Sequence, residues 1–196
     1  MRFTKNLTIV ALFTSLIIAS DYALAPVFNV KLVDSLVFSS AYSFGLRIGA
    51  YIAILSELVW GVFNPNGFGG LIIPFLVVGE IIYAFAGYSA SKLWKLEEVK
   101  TLSPRNLFFG ATLAICAFVW DLETNLATAF LEGAHTLIQY LTVVLFGIIP
   151  FAIAHELSDF VFGTVLVPIV ILQFKRHSNQ FRKHLQLVAT GVPGSE

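Results

Sequence analysis

The stretch AFVWDLETNLATAFL, Ala117 to Leu131, sets Asp121, Glu123 and Asn125 inside an otherwise apolar run. On a solvated surface helix such residues need no explanation. In lipid they need a partner or water, because an ionised side chain in the hydrocarbon region costs several kcal/mol. The rest of the chain decides between the two. Of 196 residues, 57% are hydrophobic and 12% charged, and the mean hydropathy is +0.83. A soluble domain carries about 25% charged residues. A chain this poor in charge cannot cover its apolar surface, so lipid is the expected solvent and an all-α membrane protein the expected class. Zero net charge gives no reason to expect a nucleic-acid partner. The single cysteine, Cys116, excludes an intrachain disulfide and argues against a thiolate metal cluster.

Outward from that run, apolar segments repeat. The first, Leu7 to about Ala25, follows Lys5 and ends in Ala-Leu-Ala, a pattern that also closes secretory signals. Pro26 directly after it, and the further apolar segments, favour an uncleaved helix. Residues 33–63 read as two shorter helices joined at FGLRIGA (44–50). FNPNGFGG (63–70) is a break, because Asn-Pro and Asn-Gly favour turns. A fourth helix runs from Leu71 to about Lys92, the hydrophilic connector KLWKLEEVKTLSPRN (92–106) follows, and a fifth begins at Asn106. From Gly133 to Phe174 the chain is apolar for about 42 residues, roughly 60 Å as helix and too long for one crossing. Pro150 divides it, since proline suits a first helical turn. Residues 136–148 then form a hydrophobic outer loop or half-helix, and the last crossing covers 150–174. This makes residues 1–174 one six-helix membrane domain, followed by a basic tail at 175–196.

Lysine and arginine set the expected orientation. Under six crossings, eleven of them fall on one side: Arg2, Lys5, Arg47, Lys92, Lys95, Lys100, Arg105, Lys175, Arg176, Arg182 and Lys183. Only Lys31 falls on the other. The positive-inside rule then places both termini in the cytoplasm of a multi-pass cell-membrane protein, with the loops at 26–32, 63–70 and 129–149 outside. A seven-crossing alternative, with 135–154 spanning alone, moves the four C-terminal cations outside and spoils the pattern.

At about 1.5 Å per residue, Asp121 lies about 22 Å beyond the inner end of its helix, so Asp121, Glu123 and Asn125 fall in the outer third. Asp21 is about as high, Glu57 and Glu80 sit nearer the midplane, and His155, Glu156 and Asp159 lie below the outer end of the last helix. Basic partners are nearly absent there, so mutual pairing cannot neutralise these groups. A water-filled pocket opening outward accounts for them, lined by Asp121, Glu123, Asn125, His155, Glu156 and Asp159. Trp120, Tyr42, Tyr83 and Tyr140 are available as flat stacking faces. Taken singly, each polar residue serves equally well as a bridge between helices. The one-sidedness of the cluster is what points to a binding site.

Several stretches resemble the substrate-binding S component of energy-coupling factor (ECF) transporters. ALFTSLIIA carries Ala11, Ser15 and Ala19 one turn apart, similar to the small-residue face that S components present to their membrane partner. FGLRIGAYIAILSELVWGVFNPNG resembles the family's glycine turn, third helix and Asn-Pro loop. GEIIYAFAGYSASKL is similar to its fourth helix, DLETN to the polar end of the fifth, and IPFAIAHELSDFVFGTVLVP to the sixth. The likeness extends to about Phe174. It implies a module that captures a vitamin or related micronutrient from outside and tips in the bilayer to deliver it, working with a transmembrane T component and two ATPases. It also implies ligand contacts at Asn64 and Asn66 in the third loop, at Asn125 and at His155. Trp120 and Glu80 complete the expected set. No Walker A loop occurs, so ATP hydrolysis belongs elsewhere. His155 stands where riboflavin-binding members carry lysine, and the Met-His start of cobalt and nickel members is missing. An acidic, aromatic pocket suits a cationic or amine-bearing ligand, or hydroxyl donors.

Two other classes compete. A stand-alone facilitator or small channel needs no ATPase. An intramembrane metalloprotease is suggested by HELSD (155–159), but Asp159 occupies the place of the second histidine in the zinc motif His-Glu-x-x-His. The expectation is therefore a binding subunit with no catalysis, no cofactor and no metal.

Overall fold

The computed structural model describes residues 2–27, 29–65, 67–96 and 103–190, with the side chains of residues 2–3, 150 and 177–190 outside that description. It is all helical among those residues. The order is α1 (Arg2–Leu24), α2 (Val33–Phe44), α3 (Leu46–Phe63), α4 (Ile73–Leu93), α5 (Pro104–Leu131), α6 (Leu137–Gly147) and α7 (Ile153–Thr190). The connections at 25–32, 64–72 and 132–136 gather at what is here called the upper end. The Gly45 turn, residues 94–96 and Ser103 lie at the lower end.

Five helices, α1, α3, α4, α5 and α7, are long and apolar enough to cross a membrane. α2 is different. It has 12 residues, about 18 Å of helix, and every residue from Val33 to Ala41 is buried. A helix enclosed on all sides sits at the centre of a bundle, and α2 packs against α1, α3, α4 and α7. α2 and α3 are separated by Gly45 alone, at φ 96° and ψ 162°, a conformation open essentially to glycine.

Local sequence explains the other boundaries. Ser103 caps α5, its hydroxyl accepting from the Asn106 amide at 3.3 Å, with Pro104 in the first turn. Thr136 and Gln139 form a capping box that starts α6. Ile149 leaves helical geometry at φ −113° and ψ 111°, as a residue before proline tends to do. The division expected at Pro150 is therefore present, and residues 136–148 hold an 11-residue helix rather than a crossing. α6 lies on the flank of α5 with Leu137, Ile138, Leu141, Leu145 and Phe146 exposed. α7 passes the expected tail boundary at 174/175 without a break and continues to Thr190.

The most extensive pairing is α5 against α7. A Cβ on Gly110 would stand 2.1 Å from the Thr164 hydroxyl, and one on Gly163 would stand 2.8 Å from Gly110 Cα. The two backbones touch, which only small residues permit. At the lower end the Leu96 amide donates to the Tyr42 hydroxyl at 2.9 Å, and Lys175 Nζ donates to the Leu96 carbonyl at 3.2 Å. These contacts tie the 94–96 segment to α2 and α7. On α1, Val10, Phe13 and Ile17 enter the core, while Ala11, Ser15 and Ala19 are exposed.

Replacing Gly163 by valine forces this crossing apart. The expected loss is about 1–3 kcal/mol of stability, the usual range for overpacking. It is read from thermal melts in detergent, in which the exposed change Ile115→Val leaves the midpoint in place.

Candidate functional site

His155 is the centre of a polar network in the upper half of the bundle. It is fully buried on the first turn of α7. Its Nδ1 lies 3.0 Å from Asp121 Oδ2 on α5, and its Nε2 lies 3.4 Å from Asp34 Oδ2 on α2. Trp120 meets the imidazole edge-on at 5.5 Å, and it fits there because Gly79 on α4 leaves the space; a Cβ at 79 would stand 2.3 Å from the indole. One turn below His155, Asp159 Oδ2 accepts from the Tyr83 hydroxyl at 2.9 Å. Glu80, one turn from Tyr83 on α4, contacts Asp34 carboxyl to carboxyl. Such a contact is a hydrogen bond only when the pair shares a proton.

The 25–32 connection descends into this network. Leu32 N donates to Asp21 Oδ1 at 3.4 Å, and Lys31 Nζ lies 4.5 Å from the Trp120 ring centroid, a cation–π contact. Lys31 also faces Glu57, Asp34, Asp21 and Glu80. Burial works against its charge, but these carboxylates outweigh burial and hold its proton above the ordinary lysine range. Asp21, Asp34, Glu57, Glu80, Asp121 and Asp159 are all buried. Six carboxyl groups thus share two bases, Lys31 and His155, so acidic groups outnumber basic ones.

Above the network lies a cavity of about 470 Å³ between α5, α6 and the 25–32 connection, lined by Asn29, Trp120, Asp121, Thr124, Asn125, Glu132, Phe146 and Phe151 among others. Asn29, at φ 50° in the left-handed region that asparagine tolerates, donates from Nδ2 to the Phe151 carbonyl at 2.7 Å. Asn125 donates to the Asp121 carbonyl at 2.6 Å, and its Oδ1 occupies the space that a Cβ on Gly147 would need. A second cavity of about 210 Å³ lies between Asp21, Asn29, Lys31, Trp60 and Asn64.

The residues singled out from sequence therefore divide. Asp121, Asn125 and Trp120 line the larger cavity and Asn64 the smaller. His155, Asp159 and Glu80 lie in the network below, enclosed by protein rather than lining the cavity. Glu156 is part-buried near Asp121 and His155. Glu123 is part-buried, with Oε2 unpartnered among the described residues. Neither glutamate borders the cavity. Asn66 lies outside the described residues. Of the tyrosines, Tyr83 bonds Asp159, Tyr42 sits at the lower end and Tyr140 is on α6.

Sequence reasoning missed Asp34 as a site residue and treated Lys31 as a solitary outer cation. Asp34 opens an apolar segment, where an acid reads as a complement to the helix dipole. The available signal was the Lys31-x-x-Asp34 pair at the edge of a segment otherwise poor in charge. Three network members also have the chemistry to hold a cation: one ligand atom each from Asp34, His155 and Asp159 lie within 4.8 Å of one another.

Replacing Lys31 by methionine leaves the facing carboxyl groups without their cation, a change expected to cost about 1–3 kcal/mol. The deficit of Lys31→Met is read from denaturation measurements, in which the exposed change Lys92→Met has little effect.

No family model, curated protein or solved structure matches this chain.

Proposed function

We propose that the chain is the substrate-binding subunit of an ECF-type importer, capturing a vitamin-sized micronutrient at its upper end and delivering it inward with a T component and two ATPases. The observation that carries this reading is the convergence of Asp121, Asn125, Trp120 and Asn29, from α5 and the first connection, on one cavity of about 470 Å³. That volume is within the ordinary range for small-molecule sites, roughly 300–1,000 Å³, and the mix of aromatic walls with a few convergent polar groups is what such sites use.

Three further features support it. The cavity lies at the end of the bundle opposite the lysine- and arginine-rich connections, so the positive-inside rule places it outside the cell, with both termini in the cytoplasm. Six crossings follow if α2 counts as one. Its helix is short because the 25–32 connection descends into the bundle and completes the path. On α1, Ala11, Ser15 and Ala19 are exposed on a surface where a partner helix can approach closely. The excess of buried carboxylates beneath the cavity favours a cationic or amine-bearing solute over an anionic one.

A stand-alone facilitator would use the same cavity but not the α1 face, so the two readings separate experimentally. Native mass spectrometry of freshly purified protein is expected to show a co-purified small molecule. Asn125→Ala and Asn29→Ala are expected to weaken its retention about tenfold each, the scale of one lost hydrogen bond to a charged group. The pair Ala11→Leu and Ser15→Leu is expected to abolish cellular uptake while leaving that retention intact. Unchanged uptake in the α1 variant would leave the facilitator as the better account.

A further inference from the structure

The hydrogen bonding of His155 determines what its second nitrogen can do. An ionised carboxylate only accepts hydrogen bonds, so the 3.0 Å contact with Asp121 Oδ2 puts a proton on Nδ1. In the neutral ring Nε2 is then a lone pair, and it faces Asp34 Oδ2 at 3.4 Å, longer than the usual 2.9–3.0 Å of an N–H···O bond. Two lone pairs so opposed repel unless positive charge, either a second proton on the ring or a bound cation, lies between them. Asp159, one helical turn along α7, brings a third donor to the same point: the three ligand atoms lie within 4.8 Å of one another. Asp159 is 0% exposed. Its Oδ1 has no hydrogen-bond partner among the described residues, and neither has Oε1 of Glu80, which contacts Asp34.

We infer that Asp34, His155 and Asp159 hold a divalent first-row transition-metal cation of the zinc or cobalt type. Two ligands about 2.0–2.2 Å from a tetrahedral ion lie roughly 3.4 Å apart, the separation found between His155 Nε2 and Asp34 Oδ2. One imidazole with two carboxylates suits such an ion better than an all-oxygen magnesium or calcium site. The outer contacts are also those of a metal centre: a carboxylate, Asp121, holds the far nitrogen of the ligating histidine, and Tyr83 donates to the ligating Asp159. A dication offsets the Asp34 and Asp159 charges, and His155 and Asp159 at i and i+4 on α7 meet Asp34 from α2. The ion therefore joins the central helix to the last one. This goes against the expectation of no metal drawn from sequence, where Asp34 was not counted. It stands apart from the importer reading, because the three ligands lie below the cavity.

The full chain, purified in detergent without a polyhistidine tag and stripped with a chelator, is reloaded with Zn²⁺ or Co²⁺ and desalted. The expected result is one metal per chain by elemental analysis, a visible Co²⁺ spectrum of low-coordinate nitrogen and oxygen ligation, and a higher melting temperature when loaded. Asp34→Asn and Asp159→Asn are expected to lose stoichiometric binding. Asp121→Asn should weaken binding about 10–100-fold, the usual effect of removing a second carboxylate partner. His135→Gln, which removes an exposed histidine, should change nothing. Wild-type protein that retains no metal, or shows only the spectrum of aquated Co²⁺, would overturn the assignment and leave His155 as an imidazolium between Asp34 and Asp121. Undiminished binding in both aspartate variants would overturn it equally. The wild-type spectrum decides even where a variant fails to fold.

Discussion

Carboxylates buried in an apolar bundle must be compensated, and the upper half of this molecule is organised around that requirement. Six of them come from six helices, one each from α1, α2, α3, α4, α5 and α7, and a charge in hydrocarbon costs several kcal/mol when it stands alone. His155 answers part of the demand by spanning Asp121 and Asp34, so α7, α5 and α2 meet at one ring. Lys31 answers another part by leaving the upper surface for the interior. The 25–32 connection brings that lysine, and Asp34 three residues later, down to the acids.

The remaining packing serves this convergence. Backbone contact between Gly110 and Gly163 draws α5 and α7 together, which sets the distance from Asp121 to His155. Gly79 admits the Trp120 indole beside the imidazole. The ring then has two neighbours of different kinds, His155 at its edge and Lys31 near its face. Above this rigid floor, α6 and the first connection close the walls of the cavity by lighter contacts: Asn29 on the Phe151 carbonyl and Asn125 against Gly147. Binding sites combine these two qualities, a floor locked by charge and packing and walls held by few bonds.

The importer reading and the metal assignment concern different levels of the same axis. The first rests on a cavity with polar groups at its rim. The second rests on a ring nitrogen facing two carboxylates beneath it. If both hold, the ion lies below the bound solute, among the acids of the network. If only the metal is present, it acts as a staple between the central and last helices, where α2 has no long lipid-facing surface of its own to stabilise it.

Much of this was legible in the sequence because it depends on local chemistry. The apolar lengths, the breaks at 63–70 and 92–106, the glycine between α2 and α3 and the division at Pro150 all act within a few residues, through hydrophobic periodicity and backbone preference. The gathering of Asp121, Asn125 and Trp120 on one cavity was also legible, since they lie within two turns of one helix. What depended on tertiary structure was the pairing across helices: which acid meets His155, that Asp34 belongs to the site, and that Lys31 turns inward. Those outcomes are set by close approach of backbones at small residues and by electrostatics between groups up to 121 positions apart. A one-dimensional pattern carries neither distance nor facing, so only the folded bundle could decide them.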